Sequence, residues 1–290
     1  MNSPHCDPAD APAQALPGVP ADWLRPDWPA PAHVQALCTT RAGGCSTGAY
    51  ASMNVGLHVG DAAQAVLANR ARLVAALQSI TPGARPVFLD QVHGSCAVPL
   101  GAELPDGTPA DAAWAQAPGL ACTIMVADCL PVLFTDRLGR RVAAAHAGWR
   151  GLAGGVLESV VERFRALAPV EPGSSAMKLE ASGASDLLAW LGPCIGPKVF
   201  EVGDDVRAAF CALDGAAKQH FAPRGGGKFL ANLPALARQR LAAQGVTQVY
   251  GNDGSDAWCT FSQPSRFFSH RRDGAVGGGT GRMAACIWLG

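Results

Sequence analysis

Two short apolar segments near the middle of the chain are joined by a polar turn, and a chemically reactive side chain stands at one end of each. The segments are 130–134 and 142–145, and the turn between them is Asp136–Arg140. This pattern predicts a pair of adjacent strands. Cys129 precedes the first strand and His146 follows the second. A thiol and an imidazole are therefore expected at neighbouring strand ends, as two groups that share one site would be.

A glycine-rich segment follows this pair of strands and leads into a predicted amphipathic helix. Glycines stand at 148, 151, 154 and 155, and the helix is predicted over 156–167. The start of a helix carries N–H groups without backbone partners and a partial positive charge. The loop is therefore a candidate site for an anion.

Strand and helix patterns are interleaved along the rest of the chain, without strict alternation and without internal repeats. Further strands are predicted at 33–40, 86–93, 121–126, 187–191, 246–250 and 282–289. Helices are predicted from an Asp61 cap to 77, over 202–213, and from an Asn232 cap to 244, with loops at 171–185 and 222–227. These elements predict one α/β-type domain with a mixed sheet and argue against a doubly wound Rossmann fold.

The composition excludes several classes of partner. The chain has 290 residues, 49% of them hydrophobic and 16% charged, so a large core can be buried. The net charge is zero and no Lys/Arg-rich run occurs, which disfavours nucleic acid and anionic membranes as partners. No apolar run approaches the length of a membrane span.

The N-terminal segment and the cysteines bear on location and domain organisation. Residues 1–31 are rich in Ala, Pro and Asp and are predicted to be a disordered or loosely packed tail before a single domain at 32–290. The first residues lack the features of a secretory signal. Ten cysteines occur without a Cys-x-x-Cys pair, so a reducing, cytoplasmic location is expected.

Three residues at strand ends form a candidate metal site. His93 and His146 each follow an apolar strand, with a glycine close behind, and Cys129 stands at the edge of another strand. Two imidazoles and a thiolate with one open position suit zinc, which would acidify a bound water towards neutral pH. The same residue types are also compatible with a purely structural role, in which two core histidines are hydrogen-bonded and the buried cysteine is unreactive. They also permit a Cys129 nucleophile with a histidine base, its thiolate favoured by a nearby cation such as Arg150.

Several charged residues are candidates for substrate contacts. Arg41, Arg150, Arg271 and Arg272 lie in loops with glycines, where a guanidinium can form paired hydrogen bonds with phosphate or carboxylate. Structural ion pairing is the alternative for each of them. Asp128 is a candidate general base or ligand-orienting residue, and it is equally suited to cap the following turn.

Six ordered motifs, with Thr280–Arg282 behind them, together resemble one known family. The motifs are Thr39–Gly44, Gln91–Gly94, Ala127–Val132, His146–Gly151, Gly192–Gly196 and Phe268–Gly274. They are similar to those of the YfiH-like family, also called the laccase-domain or polyphenol-oxidase-like family. The resemblance covers roughly residues 30–289. Two positions depart from the family pattern: Asn232 stands where Asp is frequent, and His270 where an aromatic residue is common.

The resemblance implies a fold, a metal and an activity. The implied fold is a single α/β domain of the α+β type, with mixed sheets packed between helices. The implied metal is zinc held by His93, Cys129 and His146. The implied activity is phosphorolysis of adenosine, inosine and methylthioadenosine, with adenosine deamination as an accessory reaction. Nucleoside and phosphate would then be the partners, with neither nucleic acid nor membrane involved.

Candidate roles for individual residues follow from their types and from the motifs in which they lie. The candidate catalytic residues are Asp128 and Cys129, and the candidate substrate-binding residues are Arg41, Gln91, Arg150 and Arg271. Arg41 or Arg150 would hold the attacking oxyanion through charge-assisted hydrogen bonds.

The same residues and motifs are compatible with three alternatives to a phosphorylase. The first is a Cys–His hydrolase or amidase acting on peptidoglycan precursors, because some family members are described as peptidoglycan-editing factors. The second is a copper polyphenol oxidase, for which zinc would be replaced by copper. A multicopper oxidase needs on the order of ten histidines, many in His-x-His pairs. This chain has seven histidines and no such pair, which disfavours copper. A non-enzymatic scaffold or ligand sensor is the third and weakest, because so many polar residues cluster at strand ends and in loops.

Overall fold

The computed structural model describes residues 18–101, 104–166, 186–274 and 279–290. The strands in these ranges are β1 Val34–Cys38, β2 Arg85–Asp90, β3 Ala97–Pro99, β4 Thr108–Pro109, β5 Ala112–Ala115, β6 Leu120–Val126, β7 Leu130–Asp136, β8 Val142–Ala147, β9 Leu187–Leu191, β10 Glu201–Gly203, β11 Phe221–Gly225, β12 Lys228–Ala231, β13 Gln248–Gly251 and β14 Met283–Leu289. The α-helices are α1 Ala63–Ile80, α2 Trp149–Ala153, α3 Val156–Ala166, α4 Asp204–Cys211, α5 Leu233–Ala243 and α6 His270–Asp273.

The described strands form three sheets. The five-stranded sheet has the order β1-β14-β6-β2-β4, and the six-stranded sheet has the order β13-β9-β7-β8-β5-β3. A third, small sheet has the order β10-β12-β11, and its Val202, Phe221 and Ala231 share a core cluster with the six-stranded sheet. Parallel pairs such as β2 with β6 stand beside antiparallel pairs such as β7 with β8, so the sheets are mixed. The predicted α/β class with mixed sheets is confirmed.

The two large sheets pack face to face between helices. Ile124 and Ile287 of the five-stranded sheet share a core cluster with Leu133 and Ala144 of the six-stranded sheet. The alternate residues of β7 point the other way, towards α3 and α5, with Phe164 of α3 in that cluster. Helix α1 covers the outer face of the five-stranded sheet. Because both of its faces are covered, every residue of β7 is buried, and residues 130–134 are apolar without hydrophobic alternation.

Several predicted boundaries were wrong. The cap of α1 is Ala62, and the Asp61 carboxylate instead accepts hydrogen bonds from the Ala62 N–H and the Asn54 side chain. The helix predicted over 202–213 begins only at Asp204, because the preceding residues pair as β10 with β12. The loop predicted over 222–227 is largely strand β11, which is held by its pairing with β12. The loop predicted at 171–185 lies outside the described residues.

Part of the predicted tail packs against the domain. Residues 1–17 lie outside the described ranges. Beyond them, Trp23 is buried in the core, and Leu24 exchanges two backbone hydrogen bonds with Cys38 of β1. The Thr40 hydroxyl donates to the Asp22 carboxylate. Within the described residues, every helix is too short or too polar to span a membrane.

Candidate metal centre

Strand pairing and one turn bring together the three residues singled out in the sequence. His146 lies on β8 opposite Pro131 of β7, and Cys129 immediately precedes β7. His93 comes from the other large sheet, in a turn three residues beyond the end of β2, and has a left-handed backbone with φ of 61°. The ligand atoms of the three side chains all lie within 4.8 Å of one another. The site therefore stands where the two sheets meet.

A buried carboxylate fixes the geometry of this cluster. Asp111, just before β5, accepts backbone hydrogen bonds from Val92 at 3.2 Å, His93 at 2.9 Å and Gly94 at 2.6 Å. It also accepts from Nδ1 of His146 at 2.8 Å. With Nδ1 committed to the carboxylate, Nε2 of His146 is left to bind a metal. One side chain thus sets both the turn that carries His93 and the tautomer of His146.

The electrostatics of the cluster favour a thiolate. Burial raises the pKa of the Cys129 thiol, but charge and hydrogen bonds from His146 and His93 outweigh burial and lower that pKa to about 6. Burial lowers the pKa of His146, but the Cys129 thiolate and the hydrogen bond to Asp111 raise it to about 9. Each group thus stabilises the charged form of the other, and a bound metal would take the place of the imidazolium proton.

The cluster is open on one side. His146 is buried, Cys129 is half-buried and His93 is exposed. The Cys129 sulfur lies 3.8 Å from Nε2 of His93, and the two imidazole rings meet edge to face with centroids 4.7 Å apart. Two imidazoles and one thiolate, with one face open, fit a catalytic zinc with a free coordination position.

Two cavities adjoin the cluster and share part of their walls. The first, called the apolar cavity, has a volume of about 130 Å³, and its lining includes Trp149, Ile195, Phe200 and Leu233. The second, called the polar cavity, has a volume of about 180 Å³. Besides the residues shared with the first, it is lined by His58, Gln91, His93, Met125, His146 and Arg282. Ala127, Cys129 and His270 belong to both linings. A molecule with an apolar part and an anionic part would meet the metal site at this shared wall.

Of the four predicted substrate-binding residues, Arg271 and Gln91 line the cavities. Arg271 lines the apolar cavity, and its Nη1 donates to the Glu201 carbonyl at 2.9 Å. Gln91 lines the polar cavity, but both ends of its amide are hydrogen-bonded to the backbone of Met125.

The two arginines expected to hold the oxyanion line neither cavity. Arg41 donates to the carbonyls of Ala51 and Pro264. Arg150 is exposed, and its guanidinium lies over the ring of Trp149, 4.3 Å from the centroid. The predicted role of Arg41 and Arg150 in holding the oxyanion therefore stays a prediction.

Asp128 organises the segment that carries His270. Its backbone is left-handed with φ of 89°, and its carboxylate accepts from the Thr260 hydroxyl at 2.6 Å and the Arg271 N–H at 2.7 Å. Helix α6 is thereby tied to the residue next to Cys129. These contacts indicate that Asp128 positions the start of α6, which carries His270.

A close approach at Gly148 leads to a testable prediction. A Cβ placed at Gly148 would lie 2.9 Å from the Cys129 sulfur and 3.0 Å from Cδ2 of His93. Gly148→Ala should therefore displace two metal ligands and weaken zinc binding about 10-fold. Competition with a chelating dye measures the affinity. Gly215→Ala is the matched control, since no atom lies within 4 Å of its Cβ position. Equal zinc affinity in the Gly148 and Gly215 variants would contradict this packing argument.

Comparison with known proteins identifies the family. Residues 35–290 match the family model described as multi-copper polyphenol oxidoreductase laccase. The chain belongs to this family. The resemblance to the YfiH-like, laccase-domain family that the sequence motifs predicted is confirmed.

Individual relatives are similar to this laccase-domain chain over nearly their whole length. Purine nucleoside phosphorylase PA4543 of Pseudomonas aeruginosa is 49% identical over 92% of this chain and 98% of its own. Purine nucleoside phosphorylase YfiH of Escherichia coli is 47% identical over 91% of this chain and 97% of its own. The crystal structure of Neisseria meningitidis protein NMB0706 has a TM-score of 0.78 and 47% identity, covering 92% of this chain and 99% of that one.

The ligands in this laccase-domain chain do not fit several copper ions. Among the residues that the structure describes, His93, Cys129 and His146 are the one group of three or more metal-binding side chains. Three ligands suffice for a single ion with an open position. They do not supply the several imidazole-rich sites that multicopper chemistry requires.

Proposed function

We propose that the protein is a zinc-dependent purine nucleoside phosphorylase. It would convert adenosine, inosine or methylthioadenosine and phosphate into the free base and a sugar 1-phosphate. The observation that carries the proposal is the position of the His93–Cys129–His146 cluster between an apolar and a polar cavity. The printed names of the relatives support the same activity.

Zinc would be held by His93, Cys129 and His146, with Asp111 orienting His146 from behind. When bound, the ion supplies a Lewis-acidic centre at the shared wall of the two cavities. Zinc is preferred to copper because one thiolate and two imidazoles are a frequent zinc ligand set. Nine free cysteines in the described chain are consistent with a reducing cytoplasm as the working environment.

The apolar cavity suits the purine base. Trp149 and Phe200 offer aromatic surface, and Ile195 and Leu233 complete the apolar lining. Aromatic and aliphatic walls around a flat heterocycle are typical of ligand pockets, with a few polar groups at the edge. Arg271 is such a polar group at this site.

The shared wall suits the reacting sugar. In phosphorolysis a phosphate oxygen forms a bond to the anomeric carbon, the glycosidic C–N bond breaks, and its electron pair leaves with the base, which takes up a proton. His270 lines both cavities and would donate that proton to the purine. Asp128 would position His270 through its hydrogen bond from the adjacent Arg271 N–H. Cys129 would act at the same wall, as a metal ligand.

A second candidate is a Cys–His hydrolase or amidase that acts on peptidoglycan precursors. The observation in its favour is the 3.8 Å distance from the Cys129 sulfur to His93 Nε2, beside the hydrogen bond from His146 to Asp111. A thiolate, an imidazole and a carboxylate are the groups that cysteine nucleophiles use. In this hypothesis Cys129 attacks the substrate and no metal is required.

Incubation of the purified protein with adenosine tests the proposed function. Release of adenine from adenosine should require inorganic phosphate and be accompanied by an equal amount of ribose 1-phosphate. Chromatography that resolves adenine from inosine gives the measurement. Inosine is expected as a minor product, formed with or without phosphate, because we propose adenosine deamination as the accessory activity. Inosine as the sole product in both conditions would exclude phosphorolysis.

A further inference from the structure

Arg282 brings a positive charge into the polar cavity without an acidic partner. The residue is half-buried directly before β14, and its Nη1 donates to the carbonyls of Thr280 and Gly281. Among the described residues, no carboxylate lies within ion-pair distance of its guanidinium. Burial lowers the pKa of Arg282 because its charge is poorly solvated, although Cys129 and Asp128 attract that charge from a distance. A poorly solvated cation of this kind is stabilised by an anionic ligand.

Contacts with a neighbouring segment hold Arg282 in place. The Arg282 N–H donates to the Asn54 side-chain oxygen at 2.8 Å, and the Val55 N–H donates to the Arg282 carbonyl at 3.1 Å. A Cβ at Gly56 would lie 2.8 Å from Cγ of Arg282, so the absence of a side chain there leaves room for the arginine stem. The segment Asn54–Gly56 therefore holds the backbone and the stem of Arg282, and the Thr280 and Gly281 carbonyls hold its guanidinium.

The groups around Arg282 include an imidazole, whose pKa is lowered chiefly by burial, and a second guanidinium. His58 lines the cavity beside Arg282. The Arg70 guanidinium lies nearby, over the ring of Phe88 at 3.7 Å from the centroid, and donates to the Val55 carbonyl. Arg70 also has no ion pair within the described part of the chain.

The acidic groups near the cavity are engaged elsewhere. The Asp111 carboxylate accepts four hydrogen bonds from the Val92–Gly94 turn and His146. The Asp128 carboxylate accepts from Thr260 and Arg271, and the Asp61 carboxylate accepts from Asn54 and Ala62. Asp90 and Asp106 contribute only long-range attraction to His58 and Arg70 respectively. None of these carboxylates pairs with Arg282.

We propose that Arg282 and His58 form an oxyanion subsite in the polar cavity, and that inorganic phosphate is its ligand. A guanidinium and an imidazole side by side can donate several hydrogen bonds to a tetrahedral oxyanion. The subsite adjoins the wall that holds Cys129 and His270, and the apolar cavity lies on the other side of that wall. The assignment of phosphate as a reactant rests on the proposed phosphorylase function, whereas phosphate binding does not. This subsite replaces the Arg41 or Arg150 clamp expected from the sequence.

Calorimetric titration of the purified protein with inorganic phosphate, in the absence of nucleoside, tests the subsite directly. Arg282→Gln should weaken phosphate binding about 10- to 100-fold, because it removes a charged hydrogen-bond donor. Arg282→Lys should give an intermediate loss, since the charge is kept and the paired donors are not. Arg163→Gln is the matched control: it removes an exposed arginine from α3 and should leave phosphate binding unchanged.

Steady-state kinetics and zinc content separate a binding role from a structural one. In Arg282→Gln the KM for phosphate should rise by a similar factor, while the KM for adenosine and the zinc content stay at wild-type values. If Arg282→Gln fails to fold, Arg282→Lys and His58→Gln carry the test, each with an expected loss of phosphate affinity of several-fold. Phosphate binding that is equal in wild type and these variants would overturn the subsite.

The two proposals fail in distinguishable ways. A wild-type protein that binds phosphate through Arg282 but never cleaves a nucleoside would retain the subsite and exclude the phosphorylase. A wild-type protein that performs phosphorolysis, with a phosphate KM that is unchanged in Arg282→Gln, would retain the phosphorylase and exclude the subsite. A wild-type protein that neither binds phosphate nor cleaves adenosine would exclude both.

Discussion

Cys129→Ser should remove bound zinc and phosphorolysis together. The serine hydroxyl stays protonated at neutral pH, so the cluster loses its one anionic ligand and keeps two imidazoles. Because loss of a residue that merely supports a zinc ligand already costs 10- to 100-fold in affinity, loss of the ligand itself should cost more than about 100-fold. Elemental analysis after gel filtration gives the zinc content, and adenine release from adenosine and phosphate gives the activity.

The same variant distinguishes the two candidate functions. If Cys129 is a nucleophile that needs no metal, activity should disappear from the serine variant while any zinc in the protein is retained in full. Full retention of zinc with loss of activity would therefore contradict the metal-ligand role and favour the hydrolase. Cys211→Ser is the matched control, because Cys211 is half-buried on α4 and lines neither cavity. It should retain both zinc and activity.

The pair of strands that carries Cys129 and His146 was predictable because its signals are local. Two apolar runs separated by a short polar turn specify β7, β8 and their antiparallel pairing. The residues next to those runs are then neighbours by geometry. His93 follows a strand of the other large sheet. Its distance from Cys129 and His146 depends on how the two sheets pack, which the hydrophobic pattern does not encode. Its position at a strand end and the family motif were enough to select it.

The sequence did not point to the roles of Asp111 and Arg282, because those roles depend on contacts between distant segments. Asp111 stands in an ordinary loop position in the sequence, yet it joins the turn after β2 to His146 on β8. Arg282 belongs to a recognised motif, but its unpaired charge is visible only once Asn54 and Gly56 are placed around it.

The oxyanion-binding role of Arg41 and Arg150 stays a prediction, and both residues lie outside the linings of the two cavities. Their glycine-rich loops indicated anion binding, but a loop sequence does not determine where a long side chain points. In the folded protein Arg41 is occupied by the carbonyls of Ala51 and Pro264, and Arg150 lies over Trp149. The same limit applies to β11, in which exposed residues such as Pro223 and Arg224 look like a loop until β12 pairs with them.

Asp111→Asn should weaken both zinc binding and the fold around it. The carboxylate accepts four hydrogen bonds, but an amide has only one acceptor oxygen and would turn its NH₂ group towards two N–H donors. Leaving buried donors unsatisfied costs about 1–3 kcal/mol each, so the free energy of unfolding should fall by roughly 3 kcal/mol. Zinc affinity should fall about 10- to 100-fold, because His146 loses the partner that orients its ring.

Urea unfolding and chelator competition on the same preparations separate these two effects. Asp256→Asn is the matched control, since Asp256 forms an exposed ion pair with Lys198 and its loss should change stability by less than about 1 kcal/mol. A wild-type zinc affinity in a destabilised Asp111→Asn protein would limit Asp111 to the turn at Val92–Gly94. Wild-type values for both quantities would mean that the metal ligands are held without Asp111, and that His93 keeps its left-handed backbone through the turn alone.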